Sequence, residues 1–291
     1  MLKPIASIIL PCKNEGENIR LTVSSILQAR GRLPYEVTVI DDGSADGCCN
    51  WLRDNPPPGV KLIATPGLGA AQARNLGAQH SKGDYLIFCD AHIFVGNYWL
   101  ENLLAPLQKG ICHGICPGIA PVEDPGNVGW GQTIKDDFGV LWMGPVKDVT
   151  PVPVLPGGCL AVTTPAFRHV GGFDEGFQVW GHEDVELSIH LWLYGYTLAV
   201  HPQVKVLHVF RPSHPYKVTM ENFYFNLLRI AVSHFGQTRI SKIIAMARQS
   251  HVFDDLMASF LLSDIWEQRK RYLAERRYDD DWLMDKFGIN F

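Results

Sequence analysis

The sequence predicts an α/β fold in which helices cover both faces of a mostly parallel sheet. Short apolar runs alternate with helix-spaced segments through residues 7–90. Parallel strands need long crossover connections, and the helices in those connections lie on the faces of the sheet. Polar side chains directly follow several of the apolar runs, where parallel sheets bind ligands. From residue 212 to residue 291 the pattern is helical, which predicts a C-terminal helical extension.

The first part of the chain supplies four predicted strands and two predicted helices. The strands are short runs of apolar or alternating residues that end at turn residues. The first helix carries apolar side chains at helical spacing, and the second is rich in Ala. The predicted strands are residues 7–10, 36–40, 60–64 and 85–89, and the predicted helices are residues 17–29 and 69–80.

Residues 117–156 follow neither periodicity, and Gly, Pro, Asp and Trp dominate there. A stretch of this length without a pattern is typical of a functional loop. The next block is predicted to hold a strand at residues 159–163, a helix at residues 183–194 and an extended segment that ends at His208.

The helical extension carries one clear apolar stripe, so it needs an apolar partner. We expect it to pack on the rest of the chain or to form a homodimer contact. A membrane surface is the alternative, because basic residues follow the stripe. Acidic residues are nearly as frequent as basic ones, which favours protein packing. The stripe consists of Phe253, Leu256, Met257, Phe260 and Leu261.

The composition limits the classes of protein to which this chain can belong. With 291 residues and 46% hydrophobic content, the chain can build one large core, or one core with an appendage. A net charge of -4 gives no basic surface for nucleic acid, so we expect no such partner. No window approaches 18 apolar residues, and the apolar run at residues 5–10 is too short for a signal peptide. Seven cysteines without a Cys-x-x-Cys pair favour reduced thiols in the cytosol.

Polar side chains follow three of the predicted strands and should meet at one edge of the sheet. They are Asn14 with Glu15, Asp42 with its neighbour Asp41, and Asp90 with His92. In the third pair, alternate residues at a strand end point the same way, so a carboxylate and an imidazole can hold one ion. A strand followed by a polar turn is the alternative interpretation.

Three segments together resemble the catalytic domain of polypeptide N-acetylgalactosaminyltransferases, within the GT-A glycosyltransferases of family 2. They are the Asp-Ala-His step at residues 90–92, the Trp-Gly-His-Glu-Asp-Val-Glu segment at residues 180–186, and the His-Val-Phe-Arg step at residues 208–211. The resemblance covers residues 5–211. It implies a GT-A catalytic domain at residues 1–211, with a nucleotide-binding half at 1–116 and an acceptor and metal half at 117–211. The extension at 212–291 lies beyond it.

The sequence departs from that family in three respects. No membrane anchor precedes the matched region, no lectin domain follows it, and Asp184 stands where the family has Asn. Because the first two differences remove the basis for a secretory address, we expect a cytoplasmic protein. The third makes residues 183 and 184 resemble the Glu-Asp motif of inverting enzymes, in which the Asp is the catalytic base.

The resemblance implies a cation site formed by Asp90, His92 and His208. Two imidazoles disfavour Mg²⁺, which prefers oxygen ligands, so Mn²⁺ is the expected ion and Mg²⁺ the alternative. Zinc is the usual ion of His-rich sites, but an open octahedral site beside phosphates disfavours it. Arg211 would add positive charge at the leaving group. His208 and Arg211 as a simple strand cap is the alternative interpretation.

The resemblance also implies a set of residues that bind the nucleotide sugar. Asp42 would contact uridine, although Asp-Asp-Gly-Ser is also ordinary turn chemistry. The glycine pair at residues 157–158 would let the sugar approach closely, and Trp180 would pack beside the sugar or the acceptor. The set is Pro11, Asn14, Glu15, Asp42, Arg74, Asp90, Gly157, Gly158 and Trp180.

Asp184 is the candidate general base, with Glu183 beside it in the site. At a helix start the dipole favours the ionised form, so an ordinary pKa is expected. Acidic residues that merely stabilise a first helical turn are the alternative. His182, His190 and His201 are interpreted as structural.

We therefore expect a metal-dependent glycosyltransferase that uses a UDP-sugar and an unidentified acceptor, with inversion favoured over a retaining mechanism of the polypeptide type. A catalytically weak nucleotide-sugar-binding or scaffolding protein on the same fold is the alternative from another class. A sugar nucleotidyltransferase is disfavoured, because residues 11–14 do not form a Gly-rich phosphate loop.

Overall fold

A nine-stranded sheet is the centre of the fold in the computed structural model, which describes residues 3–291. Its order is β3-β2-β1-β4-β10-β6-β11-β5, with β9 paired to β11. Six strands run in one direction, and β5, β9 and β10 run against them, so the predicted α/β fold with a mostly parallel sheet is confirmed. Strands β7 and β8 form a separate hairpin. The strands are β1 Ala6–Cys12, β2 Tyr35–Asp42, β3 Val60–Thr65, β4 Tyr85–Cys89, β5 Ile93–Val95, β6 Gly114–Pro121, β7 Gln132–Ile134, β8 Val140–Trp142, β9 Thr150–Pro151, β10 Cys159–Thr163 and β11 Leu198–His208.

Helices cover both faces of the sheet and form the C-terminal extension. Alternate residues of β1 face opposite cores: Ile8 and Leu10 pack with Ile19, whereas Ile9 packs with Phe88 and Phe167. The helices are α1 Asn18–Gln28, α2 Asn50–Asp54, α3 Ala70–Gln79, α4 Trp99–Gln108, α5 Thr164–His169, α6 Glu183–Leu193, α7 Met220–His234, α8 Gln237–Ala247, α9 Phe253–Leu261, α10 Ile265–Glu275 and α11 Asp280–Phe287.

The predicted loop at residues 117–156 is wrong at its start, because β6 continues to Pro121. The boundary between residues 116 and 117 therefore falls inside a strand that lies between β10 and β11. The strand was not predicted because its glycines and prolines are typical of loops. Gly118 is required by packing, since a Cβ there would lie 2.6 Å from the Trp130 ring.

The extension packs on the main part of the chain. Leu227 and Leu228 of α7 lie in the same core cluster as Leu187 and Leu191 of α6. The apolar stripe is only partly buried. Leu256 and Phe260 are buried, whereas Leu261 is half exposed, so the prediction that it packs with the stripe is wrong. No helix among residues 3–291 has the length and apolar character needed to cross a membrane. The homodimer contact stays a prediction.

A buried ion pair fastens the extension to the main part of the chain. Arg229 of α7 donates Nε to Asp174 Oδ2 (2.8 Å) and Nη2 to Asp174 Oδ1 (2.7 Å), and both side chains are about 1% exposed. Two more donations reach Asp264 and Gln268, each over 2.7 Å. Removing Arg229 leaves the Asp174 carboxylate buried without its counter-charge.

Arg229→Met is therefore expected to lower the free energy of unfolding by about 3–5 kcal/mol, the range for breaking a buried pair. Urea denaturation followed by circular dichroism would measure the change. Lys3→Met is the matched control, because Lys3 pairs with Asp84 at an exposed site, where a pair is worth at most about 1 kcal/mol. Equal effects of the two substitutions would contradict this account of the extension.

Candidate active site

A cavity of about 710 Å³ opens at the carboxyl ends of β1, β2 and β4. Most of the residues predicted for the site line it, so the predicted edge of the sheet is the right one. Asn14 is not among the residues that line the cavity, and its role in binding the nucleotide sugar stays a prediction. Its Oδ1 accepts from the amide of Ala45 (2.8 Å) and its Nδ2 donates to the carbonyl of Pro215 (3.2 Å).

Asp90, His92 and His208 form a group that can hold a cation. Asp90 Oδ2 lies 3.2 Å from His208 Nε2 and 3.9 Å from His92 Nε2. The three ligand atoms lie within 4.8 Å of one another. Burial raises the pKa of the Asp90 carboxyl, but the hydrogen bond to His208 and the charges of His92 and Arg74 outweigh burial and hold that pKa well below its ordinary value. The carboxylate is therefore ionised and ready for a cation.

The group fits a six-coordinate ion with open positions. Two ligands at right angles about 2.2 Å from an ion lie roughly 3.1 Å apart, which is close to the 3.2 Å from Asp90 to His208 and shorter than the 3.9 Å from Asp90 to His92. The three residues face the cavity, so water and phosphate oxygens have room to complete the shell. An open shell with one carboxylate and two imidazoles suits Mn²⁺ better than Mg²⁺ or zinc.

Glu15 orients His92 and Arg211. His92 Nδ1 donates to Glu15 Oε2 over 3.1 Å in the tautomer that leaves Nε2 free for a cation. The guanidinium of Arg211 donates two hydrogen bonds, of 3.1 and 2.9 Å, to the same carboxylate. Burial raises the pKa of Glu15, but His92 and Arg211 outweigh it and hold that pKa below its ordinary value. Although Glu15 lines the cavity, its carboxylate is occupied by protein groups, so we reassign it as a positioning residue.

Arg74 and Glu183 lie behind the cation site. Arg74 Nη2 donates to Asp90 Oδ1 (3.0 Å), and its Nη1 donates to Glu183 Oε1 (2.7 Å). Glu183 Oε2 also accepts from the amide of Gly181 (3.0 Å). Both side chains are buried. Their contacts fix the orientation of Asp90, so we interpret both as positioning residues instead of nucleotide-binding and catalytic ones.

Asp184 lies at the start of α6 and faces the cavity. Its Oδ2 accepts from the amide of Gly157 (2.6 Å) and its Oδ1 from the amide of Val185 (2.9 Å). The ordinary pKa expected from the helix dipole is wrong. Burial is the largest cause of the change and the charge of Glu183 the next, and together they raise the pKa of Asp184 to about 6. A carboxyl with that pKa is ionised at neutral pH and is a stronger base than an ordinary Asp.

The glycine pair meets this site at close range. A Cβ at Gly157 would lie 3.1 Å from Asp184 Oδ2, and one at Gly158 would lie 3.2 Å from the His208 ring. A side chain at either position would push the candidate base or a candidate metal ligand aside by a few tenths of an ångström. This is a second reason for glycine here, besides close approach of a sugar.

Pro11 and Asp42 line the other end of the cavity. The Asp42 carboxylate accepts hydrogen bonds from the Thr65 hydroxyl (2.6 Å) and from the amides of Leu68 (2.5 Å) and Gly69 (2.9 Å). It therefore holds the loop after β3, which itself lines the cavity. In the predicted contact with uridine, the nucleobase would bind a carboxylate that already accepts three hydrogen bonds from the protein.

The site continues past residue 211, where the sequence resemblance ends. Pro212, Ser213, His214 and Tyr216 line the cavity, and the His214 ring packs 4.2 Å from that of Trp180, which is 38% exposed. Sequence reasoning missed this segment and Lys13. The segment directly follows Arg211, three residues beyond the candidate metal ligand His208, and that proximity in sequence was the available signal. His182, interpreted as structural, also lines the cavity.

The fold and the arrangement of the site are those of the GT-A glycosyltransferases. The sequence model of "Glycosyl transferase family 2" matches residues 7–165, more than half of the chain. A second, "N-terminal domain of galactosyltransferase", matches residues 147–218. The chain belongs to glycosyltransferase family 2.

The predicted resemblance to polypeptide N-acetylgalactosaminyltransferases is confirmed by relatives of known name. Polypeptide N-acetylgalactosaminyltransferase 11 of Xenopus tropicalis is 32% identical over 243 residues, 73% of this chain. Polypeptide N-acetylgalactosaminyltransferase 5 of Rattus norvegicus is 33% identical over 260 residues, 78% of this chain. The chain spans only 39% and 27% of the lengths of these two relatives.

Solved structures show the same fold. The crystal structure of GalNAc-T7 with UDP, GalNAc and Mn²⁺ has a TM-score of 0.79 and 23% identity, covering 98% of this chain and 57% of that one. The mannosyltransferase PcManGT from Pyrobaculum calidifontis, in complex with GDP-Man and Mn²⁺, has a TM-score of 0.56 and 18% identity, covering 94% of this chain and 75% of that one.

Proposed function

We propose that this protein is a divalent-cation-dependent glycosyltransferase that moves a sugar from a UDP-sugar to a hydroxyl group of a glycan, peptide or small molecule. One observation carries the proposal: an ionised Asp90 between two imidazoles opens on the same cavity as Asp184. A nucleotide sugar needs a cation at its diphosphate and a group near its anomeric carbon, and the cavity offers both. Release of UDP from a panel of UDP-sugars with Mn²⁺ tests the activity, and no release above the rate of buffer would contradict it.

In the proposed reaction, each residue has one task. Mn²⁺ held by Asp90, His92 and His208 would neutralise the charge that develops on the departing diphosphate. Arg211, held in place by Glu15, adds a fixed positive charge near that group. The glycine pair leaves room for the sugar ring. Trp180 and the segment at residues 212–216 cover the cavity and limit the access of water.

We propose Asp184 as the general base of an inverting transfer. The acceptor oxygen forms a bond to the anomeric carbon while the bond from that carbon to the diphosphate breaks, and the electron pair leaves with the diphosphate. The hydroxyl proton moves to Asp184. Its raised pKa, near 6, supports this role. The Asp-Ala-His step at residues 90–92 and the His-Val-Phe-Arg step at residues 208–211 resemble those of the retaining polypeptide transferases, and for that reason a retaining transfer is the alternative that product analysis must test.

UDP is expected to bind about tenfold or more tightly than GDP or ADP, a difference of about 1.4 kcal/mol. Pro11 and the loop held by Asp42 form the expected base end of the cavity. Titration calorimetry of the three nucleotides with Mn²⁺ would measure the preference. A structure of this fold is known with GDP-Man, so the outcome is not fixed by the fold. Equal affinity for GDP would contradict the UDP assignment.

A cytoplasmic location is also a proposal. All seven cysteines lie in the described part of the chain as buried free thiols, which supports a reducing compartment. Fractionation of native cells with an antibody to the protein would test it, and recovery in a secretory organelle would contradict it.

A further inference from the structure

A second group of possible metal ligands lies outside the cavity, where α6 meets the extension. It consists of Glu186 and His190 of α6 and His234 at the end of α7, and we call it the α6–α7 cluster. Glu186 and His190 are four residues apart and so share one helix face. All three side chains are at most 1% exposed. The proposed transfer reaction uses none of them.

The hydrogen bonds of the α6–α7 cluster are incomplete. His234 Nε2 and Glu186 Oε1 lie 2.7 Å apart, and His190 Nδ1 lies 3.6 Å from the same oxygen. Glu186 Oε2 and both ring nitrogens of His190 are buried without a partner. Each buried polar atom left in this way destabilises the folded chain, because it has lost its hydrogen bonds to water. Unpartnered atoms on two adjacent buried side chains suggest that a ligand is part of the native site.

Two tyrosine rings pack against the α6–α7 cluster. The Tyr272 ring packs 4.0 Å from the ring of His190 and 5.3 Å from that of His234, and the Tyr194 ring packs 4.5 Å from His190. These aromatic walls close the cluster to solvent.

We propose that Glu186, His190 and His234 bind a structural zinc ion that joins α6 to the extension. Two imidazoles and one carboxylate are a donor set that zinc takes, with a fourth position for water. The ligands are of the same types as those of the cavity site. The expected ion is zinc here and Mn²⁺ in the cavity, because the two sites favour different numbers of ligands. The cavity has room for a six-coordinate ion, whereas three enclosed ligands favour tetrahedral zinc.

The distances are close to those of a bound site. Ligand atoms about 2.0–2.1 Å from a tetrahedral ion lie roughly 3.3 Å apart. The three ligand atoms here are within 4.8 Å of one another, with separations of 2.7 and 3.6 Å to Glu186 Oε1. Shifts of a few tenths of an ångström, or a rotation that presents Oε2, would form the site. Because α6 also begins with Asp184, the ion would help to fix the helix that carries the proposed base.

Metal analysis of the full chain tests the proposal independently of the transferase activity. The background is a His92→Ala/His208→Ala double variant, which lacks the cavity site. Expressed with zinc and exchanged into metal-free buffer, it is expected to retain about one zinc per chain by mass spectrometry of the metal. Adding His190→Gln should reduce that to below about 0.1 per chain. His113→Gln is the control, since His113 lies outside the cluster and accepts from the amide of Thr197.

Two measurements on the double variant do not depend on the folding of the His190 variant. A strong zinc chelator should lower its melting temperature, and Co²⁺ in place of zinc should give the intense visible absorption of a tetrahedral site. A folded double variant without zinc and without that absorption would overturn the proposal. So would a His190→Gln variant that holds as much zinc as the control.

Discussion

His208→Ala is expected to lower turnover at least about a hundredfold, or about 3 kcal/mol of transition-state stabilisation. His208 Nε2 lies 3.2 Å from Asp90 Oδ2, so the substitution removes one of three protein ligands from the proposed ion. Arg74 still holds Asp90 through its other oxygen, so the remainder of the site should keep its shape. Turnover would be measured as UDP release over a range of Mn²⁺ concentrations.

The control for this substitution lies on the same strand. His201 belongs to β11 as His208 does, and its Nδ1 accepts only from the nearby amide of Gln203 (3.1 Å). His201→Ala should therefore leave turnover within about twofold, since it removes no ligand. His92→Ala should behave like His208→Ala. If both candidate ligands can be removed with near-native turnover at saturating Mn²⁺, the cation site is assigned wrongly.

Local periodicity was enough to predict much of the fold. The strands at residues 85–89 and 159–163 were predicted with the bounds that the structure has, because each is an apolar run between clear turn residues. The strand β6 was missed because its two glycines and two prolines read as a loop. Its stability comes from neighbours on both sides and from Trp130 packing on Gly118, which no local pattern reveals.

The candidate site was predictable where its residues are adjacent in sequence. Asp90 and His92 are recognisable in the sequence because they follow a predicted strand. The carboxyl ends of the other parallel strands lie at the same edge of the sheet, where ligands bind. What each side chain touches was not predictable. Glu15 and Arg211 are in contact although they lie at opposite ends of the domain in the sequence. Arg74 and Glu183 are also far apart in the sequence and in contact in the fold. Such contacts follow from the packed fold, and because of them we reinterpret two predicted ligand-binding residues, Glu15 and Arg74, and one predicted catalytic residue, Glu183, as positioning residues.

Asp184→Asn is expected to lower turnover at least about a hundredfold, the low end for loss of a general base, while UDP binding is kept. The amide has nearly the shape of the carboxylate but accepts no proton. Its NH₂ group must also face one of the two backbone amides that Asp184 now binds, those of Gly157 and Val185. Thermal melting of the variant would establish that it remains folded.

The pH profile separates a base from a residue that only holds Gly157. Burial and Glu183 raise the pKa of Asp184 to about 6, and a base must be deprotonated to act. For the native protein, kcat/KM should therefore fall about tenfold per unit as the pH drops below about 6. The Asp184→Asn variant should lack this step. A variant that keeps the native profile would contradict the assignment of Asp184 as the titrating base.

The configuration of the product depends on the same residue. Inversion needs a base on the face of the sugar opposite the diphosphate, and the raised pKa of Asp184 suits a base. In retention by front-face attack, the diphosphate itself takes the proton and the carboxylate has no task. The cation site does not distinguish the two, since both need the leaving group stabilised. An α-linked donor should therefore give a β-linked product, read from the coupling of the anomeric proton by NMR. An α-linked product would refute inversion, and Asp184 would then serve to hold Gly157 against the sugar.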